Sequence, residues 1–269
     1  MQLNNLIKAR FRKRWKRFLM EVELESGEVV VAHTPNTGTM KTLLAEGNFI
    51  YLEPNDNPKR KLKYTIQIIE FNNSFLDSKN SWLEKDDFTK DKTKYVTKIS
   101  EDRKFCLINT HLPNHLVREG IENKLVKELS DFSRVESEVK YGKDGCSRID
   151  ILLNHFDNSK TFIEIKNATL KVGDGVCAFP DAPTERGRKH LQELQAEIRK
   201  GNRAVGFFLV SRNDCHKFRI AKEIDPAFYE EYLEARKVGV EFLAYGMDFK
   251  LQPNNTFSLQ LDSPIKIIN

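Results

Sequence analysis

The sequence predicts a two-domain α/β protein: an OB-like β-barrel over residues 1–109, then an α/β domain with a mixed sheet over 110–269. Three observations predict it. A chain of 269 residues is long for one core and comfortable for two. Up to residue 71 the pattern is of short strands separated by turns. From Pro113 onward, helical apolar stripes alternate with strands.

In the first part, RFLMEVEL and EVVVAH read as two strands within 17–33, joined by a Ser26-Gly27 turn. "TPNTGTM", 34–40, is a turn-rich loop marked by Pro35, Asn36 and Gly38. Its amides could form an anion-binding nest, and a plain structural turn is the other reading. Strands near 48–52 and 62–71 complete a small barrel. Residues 72–104 are dense in Lys, Asp and Glu with little periodicity and read as an insertion. KFCLINT closes the domain near residue 109.

In the second part, a helix over 114–132 carries Val117, Ile121, Leu125, Leu129 and Phe132 on one stripe. Strands follow at 134–141, 147–154 and 161–168. Asp181-Ala182-Pro183 opens a helix over 184–200 that closes at Gly201. RAVGFFLVS has the unbroken apolar character of a central strand. A helix over 226–238 ends at Gly239, and short strands finish the chain.

The longest apolar run, Val205 to Val210, is too short to span a bilayer, and the first twenty residues lack a secretory pattern. The cytoplasm is the expected compartment. Four cysteines without a CxxC pair read as reduced thiols, not a zinc site or disulfides. Net charge is +5, yet seven of the 44 basic residues fall in the first twenty positions, where no acid does. Lys8, Arg10, Arg12, Lys13, Arg14, Lys16 and Arg17 are interleaved with Phe11, Trp15 and Phe18. Cations for phosphates and rings for bases suit a nucleic acid. A solvated first strand and a cationic helix on a membrane are the competing readings.

Two acids and a lysine interrupt apolar strands in "RIDILLN…FIEIKN", 148–167. Strand periodicity puts Glu164 and Lys166 on one face and Ile163 and Ile165 on the other. Such charges are costly unless paired or metal-bound. Asp150 and Glu164 together make a hard oxygen site suited to Mg²⁺ or Mn²⁺. Lys166 beside them could orient a water or stabilise charge growing on a phosphate. This is the D…(D/E)-x-K arrangement of phosphodiester-cleaving enzymes. A structural salt bridge, Asp150–Lys166 or Glu164–Arg148, is the alternative. Arg186, Arg188, Lys189 and His190 crowd the first turns of the 184–200 helix, where the dipole favours anions. Glu136, Glu138 and Lys140 read as the solvated face of a strand. Walker, dinucleotide and serine-hydrolase motifs are absent from the sequence.

With "HTPNTGTM", "NTHLPN", "SEVKYG", "SRID", "EIKNATL" and "FPDAPTERGRKHLQEL" in this order, the chain resembles the sugar fermentation stimulation protein A (SfsA) family along nearly its whole length. The resemblance implies an OB-type barrel followed by a PD-(D/E)xK nuclease-like domain, and it implies DNA binding. It places Asp150, Glu164 and Lys166 at the metal-binding and catalytic positions, and the family's helix acid on Glu119. The apolar stripe through Ile121 leaves Glu119 away from its centre. Two features depart from the pattern: Arg148-Ile149 stand where the superfamily motif has Pro before Asp, and the 72–104 excursion looks long.

The expected function is therefore metal-dependent cleavage of DNA with Mg²⁺ or Mn²⁺. Arg10, Arg12, Lys13, Arg14, Lys16, Arg17, Arg186, Arg188 and Lys189 would hold phosphates. A non-catalytic DNA-binding regulator on a nuclease-like scaffold is the alternative. No membrane partner is expected, and a homodimer stays open.

Overall fold

The structure is a computed structural model and describes residues 1–71, 103–142, 145 and 147–269. The insertion expected at 72–104 falls almost wholly outside the described residues.

The chain opens with β1 (Gln2–Leu3), β2 (Ile7–Trp15), β3 (Leu19–Leu24), β4 (Val29–His33), β5 (Phe49–Pro54) and β6 (Tyr64–Phe71). In β2, Ala9 and Phe11 point inward while Arg10 and Arg12 face solvent. The basic block is thus a barrel strand, not a membrane helix. Its register with β3 shifts between Phe11 and Lys13, the local kink that lets a strand curve around a barrel. The order β4-β3-β2-β5-β6 closes on itself where His33 pairs with Thr65, giving a five-stranded OB barrel. Met20, Val22, Ile50, Leu52 and Ile66 fill it.

Then follow β7 (Lys104–Leu107), α1 (Leu112–Glu122), β8 (Arg134–Tyr141), β9 (Ser147–Asn154), β10 (Lys160–Ala168), β11 (Leu170–Gly173) and β12 (Val176–Phe179). α2 (Glu185–Arg199), β13 (Arg203–Val210), β14 (Lys217–Ile220), α3 (Pro226–Val238), β15 (Glu241–Gln252), β16 (Thr256–Pro264) and β17 (Lys266–Ile267) complete the chain. The main sheet runs β1-β16-β15-β13-β10-β9-β8, with β10, β13 and β15 parallel and the flanking pairs antiparallel. β13 lies at its centre and is buried along almost its whole length, which is why its sequence shows no alternation. α1 contributes Leu116, Val117 and Ile121 to the core around Ile151 and Ile163. α2 packs Leu194 against Leu152 and Phe162, from the opposite set of side chains.

Four expectations need correction. The helix expected over 114–132 stops at Glu122: Lys124 turns left-handed at φ 58°, and Val126 and Leu129 reach the core through a 3-10 turn instead. The apolar spacing was real, but a different backbone delivers it. The closing strands are long, since β15 and β16 span 12 and 9 residues. A second sheet, β11-β12-β14-β17, was not anticipated from these short segments. Finally, β1 pairs with β16, so the first residues of the expected 1–109 unit lie in the other sheet. The two units also share a core, in which Tyr51 and Phe105 pack on Phe257 and Phe105 stacks on Phe249. Cys106, Cys177 and Cys215 are buried free thiols; Cys146 lies outside the described residues.

Candidate metal centre and nucleic-acid interface

β9 and β10 pair as far as Ile151 and Ile163 and then part. One step further along the same register stand Asp150 and Glu164. Where the strands part, Asp150 Oδ2 accepts the Ile165 backbone N–H at 2.6 Å, replacing the lost ladder bond. Asp150 Oδ1 accepts the Asn114 amide at 2.8 Å, from the first turns of α1. The same Asn114 nitrogen lies 3.4 Å from Glu138 Oε1. Glu138 stands opposite Asp150 on β8 and is held at φ 56°, a conformation rare for this residue type.

Glu164 is almost wholly buried, at 3% exposure. Lys166 Nζ donates to its Oε1 at 2.6 Å, and His190 Nδ1 contacts the same oxygen. Arg186 Nε donates to His190 Nε2 at 3.4 Å, an arrangement that leaves Nδ1 to donate to Glu164. Lys166 Nζ lies 3.2 Å from that Nδ1. The other carboxylate oxygen, Glu164 Oε2, is buried without a hydrogen-bond partner among the described residues. Acceptors this deep are ordinarily satisfied.

Burial, then the charge of Glu164, pushes the Asp150 carboxyl up to about 6, against the Ile165 amide, Lys166 and Asn114. Burial pushes Glu164 the same way, but Lys166 and His190 outweigh it and hold this carboxyl below its ordinary range. Burial raises the Tyr141 hydroxyl, with Glu164 and Glu193 adding to it. The site is therefore an acid pair short of positive charge, with one lysine already committed.

Asp150, Glu164 and Lys166 are together, as the spacing predicted. Neither alternative salt bridge forms: Lys166 pairs with Glu164, and Arg148 donates to the Glu138 carbonyl at 2.9 Å. Glu119 is elsewhere. It pairs with the Met1 amino group at 3.0 Å and is half-exposed, so the helix supplies Asn114 to the acids, not its glutamate. Asn114 and Glu138 are members that sequence reasoning left outside the site, and His190, read there as part of an anion-favouring cluster, sits on Glu164 instead. Asn114 and His190 lie within the quoted motifs, but only the fold shows which acid each touches.

The basic residues divide. Arg14 donates to the carbonyls of Arg17 at 2.7 Å, Asn36 at 2.9 Å, Gly38 at 2.8 Å and Thr39 at 3.2 Å, so it braces the 34–40 loop and is not a free phosphate ligand. That loop in turn docks on the second domain, where the Thr39 N–H reaches Asp181 Oδ2 at 2.8 Å. A Cβ on Gly38 would fall 2.2 Å from the same oxygen, so any larger residue there would displace the Asp181 carboxylate from this contact. Arg12 pairs with Glu23 and Glu46, Lys13 with Glu21, and Arg188 with Asp225. The Arg10 guanidinium lies over the Phe49 ring at 4.8 Å. Lys189 is exposed, 3.7 Å from Glu193. Lys16 and Arg17 project at the β2–β3 turn, and neither forms an ion pair among the described residues. Phe11 is buried, which removes it from any base-stacking role.

A family model described as the sugar fermentation stimulation protein RE domain matches residues 111–253, and one described as the SfsA N-terminal OB domain matches 13–76. The chain belongs to the sugar fermentation stimulation protein (SfsA) family. A homologue from a Marinomonas species is 41% identical over 89% of this chain and 81% of its own. One from Pelagibacter ubique is 38% identical over 98% and 97%. The fold is that of the SfsA structure from Pyrococcus furiosus, described as a complex with Ca²⁺: TM-score 0.76, 23% identity, 100% of this chain and 98% of that one. The SfsA barrel and mixed sheet thus match the predicted architecture. No helix among the described residues is long and apolar enough to cross a membrane.

The donor chemistry fits a hard divalent cation. Mg²⁺ and Mn²⁺ take oxygen ligands, and Mg²⁺ typically uses one or two carboxylates, keeping waters and substrate phosphate oxygens for the rest. Asp150 retains lone pairs on both oxygens, and Glu164 Oε2 has no partner among the described residues. Among the described residues no group of three or more His, Cys, Asp or Glu is placed to hold a metal, so the acid pair stands without a third such ligand.

Proposed function

We propose that this chain is a metal-dependent phosphodiesterase acting on DNA. The observation that carries the reading is the partnerless buried oxygen of Glu164, beside a second buried acid and a lysine. Asp150 and Glu164 would hold Mg²⁺ or Mn²⁺. When bound, such an ion polarises a phosphoryl oxygen and lowers the pKa of a coordinated water. Lys166 presents its ammonium to charge growing on the phosphate. Asn114 holds Asp150 through Oδ1 and His190 holds Glu164 through Oε1. Lys16, Arg17 and Lys189 keep exposed charge for phosphates. The Ca²⁺ named with the Pyrococcus furiosus relative is a hard cation of the class this donor set would accept.

The alternative is a DNA-binding protein that keeps the scaffold without turnover. It is favoured by one observation, the missing third metal-ligating side chain among the described residues. The test is cleavage of a labelled DNA panel in Mg²⁺ and Mn²⁺ by wild type, Asp150→Ala and Lys166→Ala. The phosphodiesterase reading expects cleavage by wild type alone. Salt-sensitive binding with no cleavage by any of the three would establish the alternative.

A further inference from the structure

The turn joining β2 to β3 is built on backbone that side chains rarely adopt. Lys16 and Arg17 both adopt left-handed backbone, at φ 52° and 60°. Two consecutive non-glycine residues there are strained, so the surrounding structure must hold them. Arg14 does so through the Arg17 carbonyl. The Phe18 N–H donates to the Lys16 carbonyl at 2.7 Å, and the Phe18 carbonyl accepts the Thr34 N–H at 3.0 Å. These bonds brace the tip, and what it presents is two cations without an ion pair among the described residues and a phenylalanine that is 47% exposed.

A lone exposed phenylalanine on a surface is ordinary. Here the exposed ring follows directly on two exposed cations at a braced turn. Charge complementarity selects a polyanion, since Lys16 and Arg17 at the tip have no ion-pair partner among the described residues, whereas Arg12 and Lys13 behind them are paired with acids. The neighbouring rings are committed elsewhere: Phe11 is buried, and Trp15 is half-buried with the Lys13 ammonium 5.6 Å from its ring. A platform for single strands needs several rings for successive bases. A single ring serves a single step, which is the geometry of a wedge.

We propose that Phe18 enters one base step of a DNA duplex while Lys16 and Arg17 hold the flanking phosphates. Opening a step costs least where the pair is mismatched or the duplex meets single strand. The favoured substrate is then a duplex with such a discontinuity. The tip is tied to the acid pair by contacts: Arg14 grips the 34–40 loop, Thr39 of that loop grips Asp181, and α2 beyond it sets His190 on Glu164. This inference rests on the DNA reading and specifies its substrate.

The test is equilibrium binding without added metal to three DNAs carrying 2-aminopurine: an intact duplex, a mismatched duplex and a duplex–single-strand junction. Wild type, Phe18→Ala and Phe18→Trp are compared by anisotropy and by 2-aminopurine emission. The proposal expects wild type to prefer the two discontinuous duplexes and to change their emission. Phe18→Ala should weaken those complexes about five-fold to a hundred-fold, the usual worth of one base–aromatic stack, with little change on intact duplex. Phe18→Trp should keep both preference and emission change. Equal affinity and emission for Phe18→Ala and wild type on the discontinuous duplexes would overturn the wedge while leaving DNA binding intact. If wild type bound none of the DNAs, the DNA reading and the wedge would both fall.

Discussion

Asp214 and Glu164 are both carboxylates buried beside cations in the second domain, with side-chain exposures of 1% and 4%, yet they are finished differently. Asp214 receives Arg212 on both oxygens, at 2.5 and 3.0 Å, and Lys171 at 3.1 Å on one of them. Arg212, fully buried, also donates to the Thr42 hydroxyl at 3.1 Å and the Thr169 carbonyl at 2.8 Å, and its guanidinium lies over the Phe71 ring at 4.9 Å. Glu164 has its two donors, Lys166 and His190, on one oxygen only and a second acid beside it. The first cluster closes its own hydrogen bonding and links the barrel's 40s loop to the sheet. The second leaves an acceptor open. That difference separates a structural ion cluster from a candidate cation site, a distinction the sequence could pose but not decide.

The largest expected break in this contrast is at Asp214. Asp214→Ala leaves Arg212 and Lys171 buried without their counter-charge and should cost about 3–5 kcal/mol in chemical denaturation. A loss below about 1 kcal/mol would mean that the cluster is not a closed structural unit.

Asp150→Asn should move the opposite way. The folded-state value of about 6 lies above the ordinary 3.8, so the native state holds this proton more tightly than the unfolded chain. Wild-type stability therefore falls as pH rises from about 4 through about 6, and the deficit is complete above that. The asparagine variant escapes it and keeps an acceptor for the Ile165 amide. It should be more stable than wild type by about 1–3 kcal/mol at pH 8, with the gain gone at pH 4. Thermal melts across that range check the sign.

The smallest effect belongs to Glu119. Its pair with the Met1 amino group is half-exposed, so Glu119→Gln should change stability by no more than about 0.5 kcal/mol and leave Mn²⁺ uptake as in wild type. A loss of uptake would return this residue to the cation site.

Much of the fold was legible because each signal was local. The alternation in β10, the unbroken apolar run of β13 and the capped ends of α2 and α3 state their own conformations. What failed was non-local or rested on weak segments. The stripe through Val117, Ile121 and Leu129 is continuous in spacing, but nothing in it records that the backbone changes form at Lys124. The docking of Gln2–Leu3 on β16 joins the two ends of the chain, which no local pattern encodes. Within the candidate site, Asp150, Glu164 and Lys166 stood out because charge in an apolar strand is conspicuous. Asn114 and His190 did not, because an amide near a helix start and a histidine in a basic helix look ordinary until the acids they touch are seen. The basic arm misled in the reverse sense: seven cations look alike in sequence, and the fold pairs or buries several of them against Glu21, Glu23 and the 34–40 loop.

The most direct test is Mn²⁺ binding followed by electron paramagnetic resonance, for wild type, Asp150→Ala and Glu164→Gln, each with a non-cleavable phosphorothioate DNA present. The account predicts Mn²⁺ uptake by wild type and its loss in both variants, because the ion needs the open Glu164 oxygen and the neighbouring acid. Uptake unchanged in Glu164→Gln, or none by wild type, would contradict it.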